Sequence, residues 1–244
     1  MGLGIPLSIL FSMAICTALG VLVERVAYKP LRSANSLAVL ITAIGVSYLL
    51  QNLALLLFGA NPKSFQSFVK LPALKLAGGQ LVISGETIVT ILVGILVAVV
   101  LLLFIHKTLF VNKTKLGSAM RAVSEDKGAA TLMGVNVNGT IALTFAIGSA
   151  LASVAGILLC SAYPTLTPTT GAMPGIKAFV AAVLGGIGSI PGAFIGGILL
   201  GVLENLSKAY ISSKLSDAIV FSVLIIVLLI KPSGILGKKI MEKV

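Results

Sequence analysis

Residues 37–59 read LAVLITAIGVSYLLQNLALLLFG and contain no charged side chain. A helix of about 20 apolar residues can cross the hydrocarbon core of a bilayer, so this stretch predicts a transmembrane helix. Similar apolar runs predict further spans at roughly residues 3–23, 86–106, 140–160 and 216–230. Loops are predicted at residues 24–36, 61–85, 107–139 and 163–175. We therefore expect residues 1–244 to form a single all-α, polytopic transmembrane domain.

The composition of the 244-residue chain supports this prediction. Hydrophobic residues make up 57% of the chain and charged residues 10%, and the mean hydropathy is +1.12. Soluble domains carry about a quarter charged residues, so this chain has too few to cover a water-facing surface. The sequence also lacks the repeated alternating strands, each of about ten residues, that build a transmembrane barrel.

The charged and reactive residues exclude several other classes of protein. The formal net charge is +11, but the basic residues form short clusters between apolar runs. We interpret them as topology signals that also contact anionic lipid headgroups, and expect no nucleic-acid partner. Cys16 and Cys160 lie in apolar segments, and His106 is the single histidine, so no disulfide, metal site or catalytic histidine is predicted. Glu24 and Arg25 follow the first apolar run in place of a cleavage site, which favours a span over a signal peptide.

The stretch 176–206 has GGIGSIPG (185–192) at its middle. A single helix of that length would be about 45 Å long, too long for a hydrocarbon core of about 30 Å. Pro191 and the glycines favour a break that gives two short helices back to back. With loops 24–36 and 107–139 in the cytoplasm, two crossings place most of the 18 basic residues there, whereas one crossing gives a nearly even split. The positive-inside bias favours two crossings, and about seven membrane segments in all.

Small residues recur every four positions in two predicted helices. Gly148, Ala152 and Gly156 share one helix face, and the same spacing runs from Gly188 through Gly192 to Gly196. Such faces let helix backbones pack closely in lipid. Broken backbone at membrane depth is tolerated inside protein or beside a water-filled cavity, so the broken segment either packs helices or lines a translocation path. The residues concerned are Gly185, Gly186, Gly188, Pro191, Gly192 and Gly196.

Nothing in the sequence points to enzymatic chemistry. The seven acidic residues lie mostly in loops or at predicted span ends, and no carboxylate or lysine sits clearly at the middle of a span. This distribution disfavours a proton-coupled carrier. The chain also lacks a GxxxxGK[ST] phosphate loop, so it cannot hydrolyse ATP by that mechanism. We expect no cofactor, and we expect the energy for any transport to come from elsewhere.

The segment KLGSAMRAVSEDKGAATLMG (115–134) mixes small, apolar and charged residues. This mixture predicts a short amphipathic helix on the cytoplasmic side of the membrane. A solvated interhelical loop is the alternative.

Several stretches resemble the permease subunits of branched-chain amino acid ABC importers, in order along nearly the whole chain. They are ERVAYKPLR (24–32), LITAIGVSYLLQN (40–52), GSAMRAVSEDKGAATLMGVNVNGTIALTFAIGSALASVAGIL (117–158), KAFVAAVLGGIGSIPGAFIGGILLGVLE (177–204) and PSGILG (232–237). The resemblance implies a multi-pass protein of the cell (inner) membrane. It implies as partners a second homologous permease, two cytoplasmic ABC ATPases and an external solute-binding protein. Family members usually begin with a longer N-terminal region, so we expect a late start, a truncation or a shortened variant.

The resemblance also implies a coupling helix within residues 117–134 that docks on the ATPase. Importer permeases often carry there a Glu-Ala-Ala motif followed after three residues by glycine. Ala129, Ala130 and Gly134 keep that spacing, while Gly128 replaces the glutamate. The residues expected at the ATPase contact are Arg121, Glu125, Asp126, Ala129, Ala130 and Gly134.

The expected function is alternating-access translocation of branched-chain amino acids (Leu, Ile, Val) or similar small neutral solutes, powered by separate ATPase subunits. The chain itself is expected to be a transporter subunit and not an enzyme. Urea or short amides are alternative substrates, because related permeases share these motifs. An ion-coupled secondary carrier and a non-transporting membrane scaffold are the alternatives from other classes.

Overall fold

A computed structural model of the chain describes residues 5–32, 34–65, 74–76, 81–102, 114–231 and 233–237. The α-helices in these ranges are α1 (Ile5–Val23), α2 (Ser36–Phe58), α3 (Gly85–Leu102), α4 (Lys115–Glu125), α5 (Lys127–Leu132), α6 (Val137–Ala162), α7 (Ala172–Gly185), α8 (Ile190–Tyr210) and α9 (Ser216–Ile230). The strands are β1 (Lys63–Ser64), β2 (Leu74–Leu76), β3 (Leu81–Ile83) and β4 (Thr165–Leu166). The chain divides into two compact units, Met1–Thr169 and Thr170–Val244.

The prediction of a mainly helical membrane protein is confirmed. Three helical stretches are long and apolar enough to cross a membrane, and three shorter helices are apolar. The long stretches are Pro6–Leu31, Leu37–Phe58 and Val137–Ala162, and the shorter ones are Thr87–Val100, Ala172–Gly185 and Ser216–Ile230. The number of crossings stays a prediction. The end of the predicted third span, with His106, and the first part of loop 107–139 lie outside the described residues.

The first helical stretch is longer than predicted, because the chain does not enter a loop at Glu24. It continues as a π-helical turn, Glu24–Tyr28, and a 3-10 turn, Lys29–Leu31. The loop was expected because several charged residues follow one another, but Glu24 is buried and forms an ion pair with Arg32. Pairing lowers the cost of burying a charge, so these residues stay in a helix.

The all-α prediction is incomplete, since the predicted loop at 61–85 contains short strands. β2 pairs antiparallel with β3, and β1 pairs antiparallel with β4, so that Lys63 lies opposite Leu166. The backbone N–H of Phe65 donates to the carbonyl oxygen of Pro164 at 2.7 Å. The segments that follow α2 and α6 therefore meet at one end of the first unit.

In the first unit, α1 and α6 pack against each other in antiparallel directions. Ser12 Oγ lies 2.9 Å from Ser153 Oγ, and further along α1, Gly20 meets the earlier residue Ser149. A Cβ added to Gly20 would lie 2.6 Å from Ser149 Cβ, so the two backbones approach too closely for a side chain at Gly20. This close approach is the packing that small residues permit between membrane helices.

The small residues of α6 that make this contact differ from the predicted ones. Apart from the backbone of α6 itself, no described atom lies within 4 Å of the position that a Cβ added to Gly148 or Gly156 would occupy. The contacting face instead carries Ser149 and Ser153, one position away around the helix. Serine is small enough for a close helix contact, and its hydroxyl can bond across it.

In the second unit, α7 and α8 form an antiparallel hairpin with a break at Gly186–Ser189, and the predicted helix break is confirmed. Gly186 and Gly188 have φ of 109° and 86°, the left-handed region that glycine adopts without strain. Ser189 caps α8, since its Oγ accepts from the backbone N–H of Gly192 at 3.2 Å. Pro191 lies in the first turn of α8, where its missing N–H costs no bond.

The two helices of this hairpin touch through their backbones. A Cβ added to Gly185 would lie 2.5 Å from Ala193 N, and one added to Gly196 would lie 3.1 Å from Gly185 N. Gly188 was predicted to share a helix face with Gly192 and Gly196. This is wrong, because Gly188 lies in the turn before α8 begins. The third member of the packed set is Gly185, from the facing helix.

The core of the second unit lies among α7, α8 and α9. Its buried residues are Val180, Ala181, Leu184, Leu200 and Val220. The segment 233–237 returns to this core, with Ile235 packed against it. The backbone N–H groups of Ile235 and Leu236 donate to the carbonyl oxygens of Leu184 and Gly185, each at 2.9 Å. These bonds satisfy carbonyl groups at the end of α7 that have no partner within the helix.

Candidate functional site

Residues 115–134, in which the coupling helix was predicted and which we call the coupling segment, fold as two short helices and not as the single helix predicted. Asp126 separates α4 from α5, with φ −155° and ψ 114°. Its Oδ1 accepts from the backbone N–H of Gly128 at 2.7 Å and of Ala129 at 3.0 Å. An aspartate that caps the next helix competes with continuation of the previous one, which explains the break.

The predicted charged contacts of the coupling segment have different environments. Arg121 and Glu125 are exposed, with Nε and Oε1 3.8 Å apart on one face of α4. An exposed pair of this kind contributes little to stability and leaves both charges accessible to a partner. The carboxylate of Asp126, by contrast, is engaged in the cap of α5.

The small residues of the coupling segment have a structural explanation. Ala130 is 2% exposed, whereas Ala129 faces outward. Gly134 has φ 79°, its N–H donates to the carbonyl oxygen of Thr131, and the N–H of Val135 donates to that of Ala130, both at 3.0 Å. This pair of bonds is a Schellman motif, which places the residue after the helix in the left-handed region. Glycine at position 134 therefore gives α5 a sharp end.

Two residues that were not predicted stand out at that end. Leu132 is 91% exposed and Met133 is 84% exposed. They differ from the exposed apolar residues of the long spans because they lie outside those spans, in the short stretch between Asp126 and Asn136. The signal in the sequence was a pair of large apolar residues directly before Gly134. We call Leu132 and Met133 the tip of the coupling segment.

A side-chain network that was also not predicted lies between the turns that follow α1 and the start of α6. Arg32 uses Nη2 to bind Glu24 Oε1 and Nη1 to bind Asn138 Oδ1. Glu24 is 3% exposed and Arg32 18% exposed, while Asn138 lies in the first turn of α6. Close by, the rings of Tyr28 and Phe145 lie 5.1 Å apart. We call Glu24, Arg32 and Asn138 the Arg32 clasp.

The second unit holds an ion cluster that joins its three helices. Lys177 Nζ, on α7, lies 2.8 Å from Glu204 Oε1 on α8 and 2.7 Å from Asp217 Oδ1 on α9. Lys208 Nζ lies 2.5 Å from the same Glu204 oxygen. The formal charges of these four residues cancel, which reduces the cost of placing them on apolar helices.

Comparison with known proteins decides the family. A family model described as branched-chain amino acid transport system / permease component matches residues 1–228. The chain belongs to this permease family. It is 45% identical over 236 residues to the high-affinity branched-chain amino acid transport system permease protein LivH of Salmonella typhimurium (strain LT2), covering 96% of this chain and 74% of the relative.

Two further relatives show how far the similarity extends. The permease is 44% identical over 249 residues to the high-affinity branched-chain amino acid transport system permease protein BraD of Pseudomonas aeruginosa, covering 100% of this chain and 80% of the relative. It is 32% identical over 110 residues to the ribose import permease protein RbsC of Escherichia coli (strain K12), covering 43% of this chain and 34% of that protein. No solved structure matches. The resemblance drawn from the sequence is confirmed.

The structure places the predicted packing and path residues of the permease in two groups. Gly185, Gly192 and Gly196 form the backbone contact between α7 and α8. Gly186 and Gly188 supply the left-handed conformations of the turn, and Pro191 starts α8. Helix packing and turn geometry explain these residues, and a role in the translocation path stays a prediction.

Proposed function

We propose that this chain is the membrane-spanning permease subunit of an ABC importer that moves branched-chain amino acids, or similar small neutral solutes, across the cell (inner) membrane. The observation that carries this proposal is the similarity to LivH and BraD along 96% or more of the chain. Its partners would be a second homologous permease, two cytoplasmic ABC ATPases and an external solute-binding protein. This permease has no phosphate loop of its own, so ATP hydrolysis falls to the partners.

Contacts within the first unit support the proposed topology. Arg32, at the end of the first helical stretch, meets Asn138 at the start of α6. The strands β1 and β4 bring together the segments that follow α2 and α6. At one end of the unit, residues touch from two segments that the sequence assigned to the cytoplasm, 24–36 and 107–139. At the opposite end, residues touch from two segments assigned to the outside, 61–85 and 163–175.

Contacts within the second unit support two crossings by α7 and α8. Lys177, near the start of α7, contacts Asp217, near the start of α9. At the opposite end, Ile235 follows α9 and bonds to Leu184 at the end of α7. α7, α8 and α9 therefore run between the same two ends, so if α9 crosses the membrane, so do both arms of the hairpin.

The coupling segment supplies the surface on which the ATPase would dock. The apolar tip, Leu132 and Met133, would enter an apolar groove, and Arg121 and Glu125 would form the polar rim around it. A buried apolar centre with a charged rim is the usual anatomy of a protein interface. The Schellman motif at Gly134 and the cap at Asp126 hold the two ends of α5, so a push on the tip would move α5 as one body.

Transport by the reconstituted complex tests the proposal. The permease is assembled with its partner permease and the ATPases in proteoliposomes, and uptake of radiolabelled leucine is measured with the solute-binding protein outside. Uptake should require both ATP on the ATPase side and the binding protein. Uptake driven by an ion gradient without ATP would show a secondary carrier, and displacement by excess urea but not by isoleucine or valine would show an amide importer. Either result would contradict the proposal.

A further inference from the structure

The Arg32 clasp joins the end of the first helical stretch to the helix that follows the coupling segment. Glu24 begins the π-helical turn after α1, Arg32 precedes α2, and Asn138 lies in the first turn of α6. Arg32 bridges the other two residues, with one Nη group on each. Only a guanidinium offers two separate donors in a fixed fork, so lysine could not hold both partners in this way.

The burial of the clasp distinguishes it from an ordinary surface ion pair. Glu24 is 3% exposed and Arg32 18% exposed, so water screens their attraction poorly. The third donor of the guanidinium, Nε, is buried without an acceptor among the described residues. Arg32 is therefore firmly held by Glu24. Its bond to Asn138 is the more solvent-exposed of its two bonds.

One member of the clasp, Asn138, follows the tip of the coupling segment closely in sequence, and hydrogen bonds hold the backbone between them. Gly134 ends α5 in a tight turn, and Asn136 then caps α6 by accepting from the backbone N–H of Gly139 at 3.0 Å. Thr140 Oγ1 donates to the carbonyl oxygen of Asn136 at 2.9 Å, and Thr140 is 7% exposed. The end of α5 and the start of α6 are both capped, and a single residue, Val135, separates Gly134 from Asn136. A connection this short should pass movement of the tip on to Asn138.

We propose that Arg32 is a positioning residue for energy coupling, which links the coupling segment to α1 through Asn138 and Glu24. When the ATPases displace the tip, α6 moves, and the clasp makes the end of α1 move with it. Without the clasp the ATPases can still push α6, but the packing of α1 against α6 alone then carries the movement to the end of α1, and hydrolysis is partly uncoupled from transport. This inference rests on the proposed function.

The decisive variant is Asn138→Ala, because it cuts one limb of the clasp and leaves the buried Glu24–Arg32 pair intact. Asn138 is exposed and alanine is a good helix former, so α6 should not be destabilised. We expect leucine transported per ATP hydrolysed to fall about two- to tenfold, the effect expected from losing one coupling contact. Binding of the ATPases should stay as in the wild type. Asn138→Asp keeps an acceptor for Arg32 and should restore the ratio.

A matched control is Asn52→Ala, which also truncates an exposed asparagine, but one whose side-chain bond among the described residues is to the carbonyl oxygen of Tyr48 in its own helix. Its coupling ratio should equal that of the wild type. A second test removes both charges of the buried pair, with the double variant Glu24→Gln, Arg32→Gln, in which the first change keeps the side-chain shape and the second shortens it. This variant leaves no unpaired charge, and we expect its coupling ratio to fall as far as that of Asn138→Ala.

The outcomes separate this inference from the proposed function. If the wild-type complex shows no ATP-dependent leucine uptake, the proposed function fails, and the inference with it. If the wild type transports leucine and Asn138→Ala keeps the same ratio, the inference alone is wrong. An equal loss in Asn138→Ala and Asn138→Asp would also overturn it, because the effect would then not depend on an acceptor for Arg32.

Discussion

The backbone N–H of Ile235 donates to the carbonyl oxygen of Leu184 at 2.9 Å, which ties the segment after α9 to the end of α7. This attachment needs glycines at the two positions where the segment after α9 meets the end of α7. A Cβ added to Gly186 would lie 2.5 Å from Gly237 Cα, and one added to Gly234 would lie 2.6 Å from Gly186 Cα. The second unit is therefore closed at this end by a contact between backbones.

The variant Gly186→Ala should open this contact. Gly186 has φ 109°, so alanine there would be strained as well as crowded by Gly237. We expect a loss of about 1–3 kcal/mol in the stability of the second unit, measured as a lower thermal transition of the detergent-solubilised permease. Gly201→Ala, in α8, is the control, because a Cβ added there meets no described atom of another element within 4 Å. Its thermal transition temperature should be unchanged or higher. Equal transitions for the two variants would contradict the close contact.

The variant Gly20→Ala tests the packing of α1 on α6. The added Cβ would collide with Ser149, so the two helices must separate and lose contact along their length. We expect a loss of about 1–3 kcal/mol, read from the same thermal transition. Gly45→Ala is the control on α2, where an added Cβ meets nothing within 4 Å.

A compensating change makes this test specific. Ser149→Gly removes the atoms that the new methyl group would strike, so Gly20→Ala combined with Ser149→Gly should be more stable than Gly20→Ala alone. If the stability change of the double variant equals the sum of the changes in the two single variants, Gly20 and Ser149 are not in contact.

The long apolar helices could be predicted from the sequence because a membrane span requires a long run of apolar residues, which the sequence shows directly. α2 and α9 match their predicted bounds within a residue, and the break between α7 and α8 follows from the glycines and Pro191. The first helical stretch was predicted too short because the sequence shows the charges of Glu24 and Arg32 without showing that they pair.

The candidate site was harder to predict, because its residues depend on contacts between distant parts of the chain. Nothing in the sequence indicates that Arg32 reaches Asn138, or that Ser149 and not Gly148 faces α1. The split at Asp126 was missed for a local reason, since an aspartate within an amphipathic pattern can cap a helix as well as continue one. Gly134, by contrast, was predicted because it matches the glycine of the motif in importer permeases, and the Schellman motif explains why a glycine is needed there.

The ion cluster predicts unequal effects for two lysines of the second unit. Lys177→Gln leaves Asp217 without its partner and deprives Glu204 of one of its two lysines, so we expect a loss of about 1–3 kcal/mol in thermal stability. Lys208→Gln should cost about 0–1 kcal/mol, because Lys208 is 42% exposed and Glu204 keeps Lys177. Similar transitions for the two variants would show that the cluster does not hold the three helices together.

The tip of the coupling segment predicts a change in ATPase docking that spares the permease fold. Leu132→Ser and Met133→Ser together remove apolar surface that is almost fully exposed in this chain, so the isolated permease should unfold at its usual temperature. Binding of the ATPases should weaken by about 2–4 kcal/mol, because a few residues buried at the centre of an interface contribute most of the affinity. The measurement is retention of the ATPases on immobilised permease over a range of concentrations.

A conservative variant supplies the control for the tip. Leu132→Met keeps a large apolar side chain and should bind the ATPases as the wild type does. Unchanged binding by the double serine variant would remove the tip from the docking surface and leave the charged residues Arg121 and Glu125 as the remaining candidates.

The proposed topology predicts opposite labelling of two positions in intact cells. In a chain with Cys16 and Cys160 replaced by alanine, Ser124→Cys lies on exposed α4 and Lys63→Cys on exposed β1. A membrane-impermeant thiol reagent added outside should label position 63 and reach position 124 only after the membrane is opened, because the proposed topology places residues 115–134 in the cytoplasm. Retained leucine uptake identifies the variants that keep the native assembly. Labelling of position 124 from outside would place the tip where no ATPase could reach it, and the coupling role of α4 and α5 would be wrong.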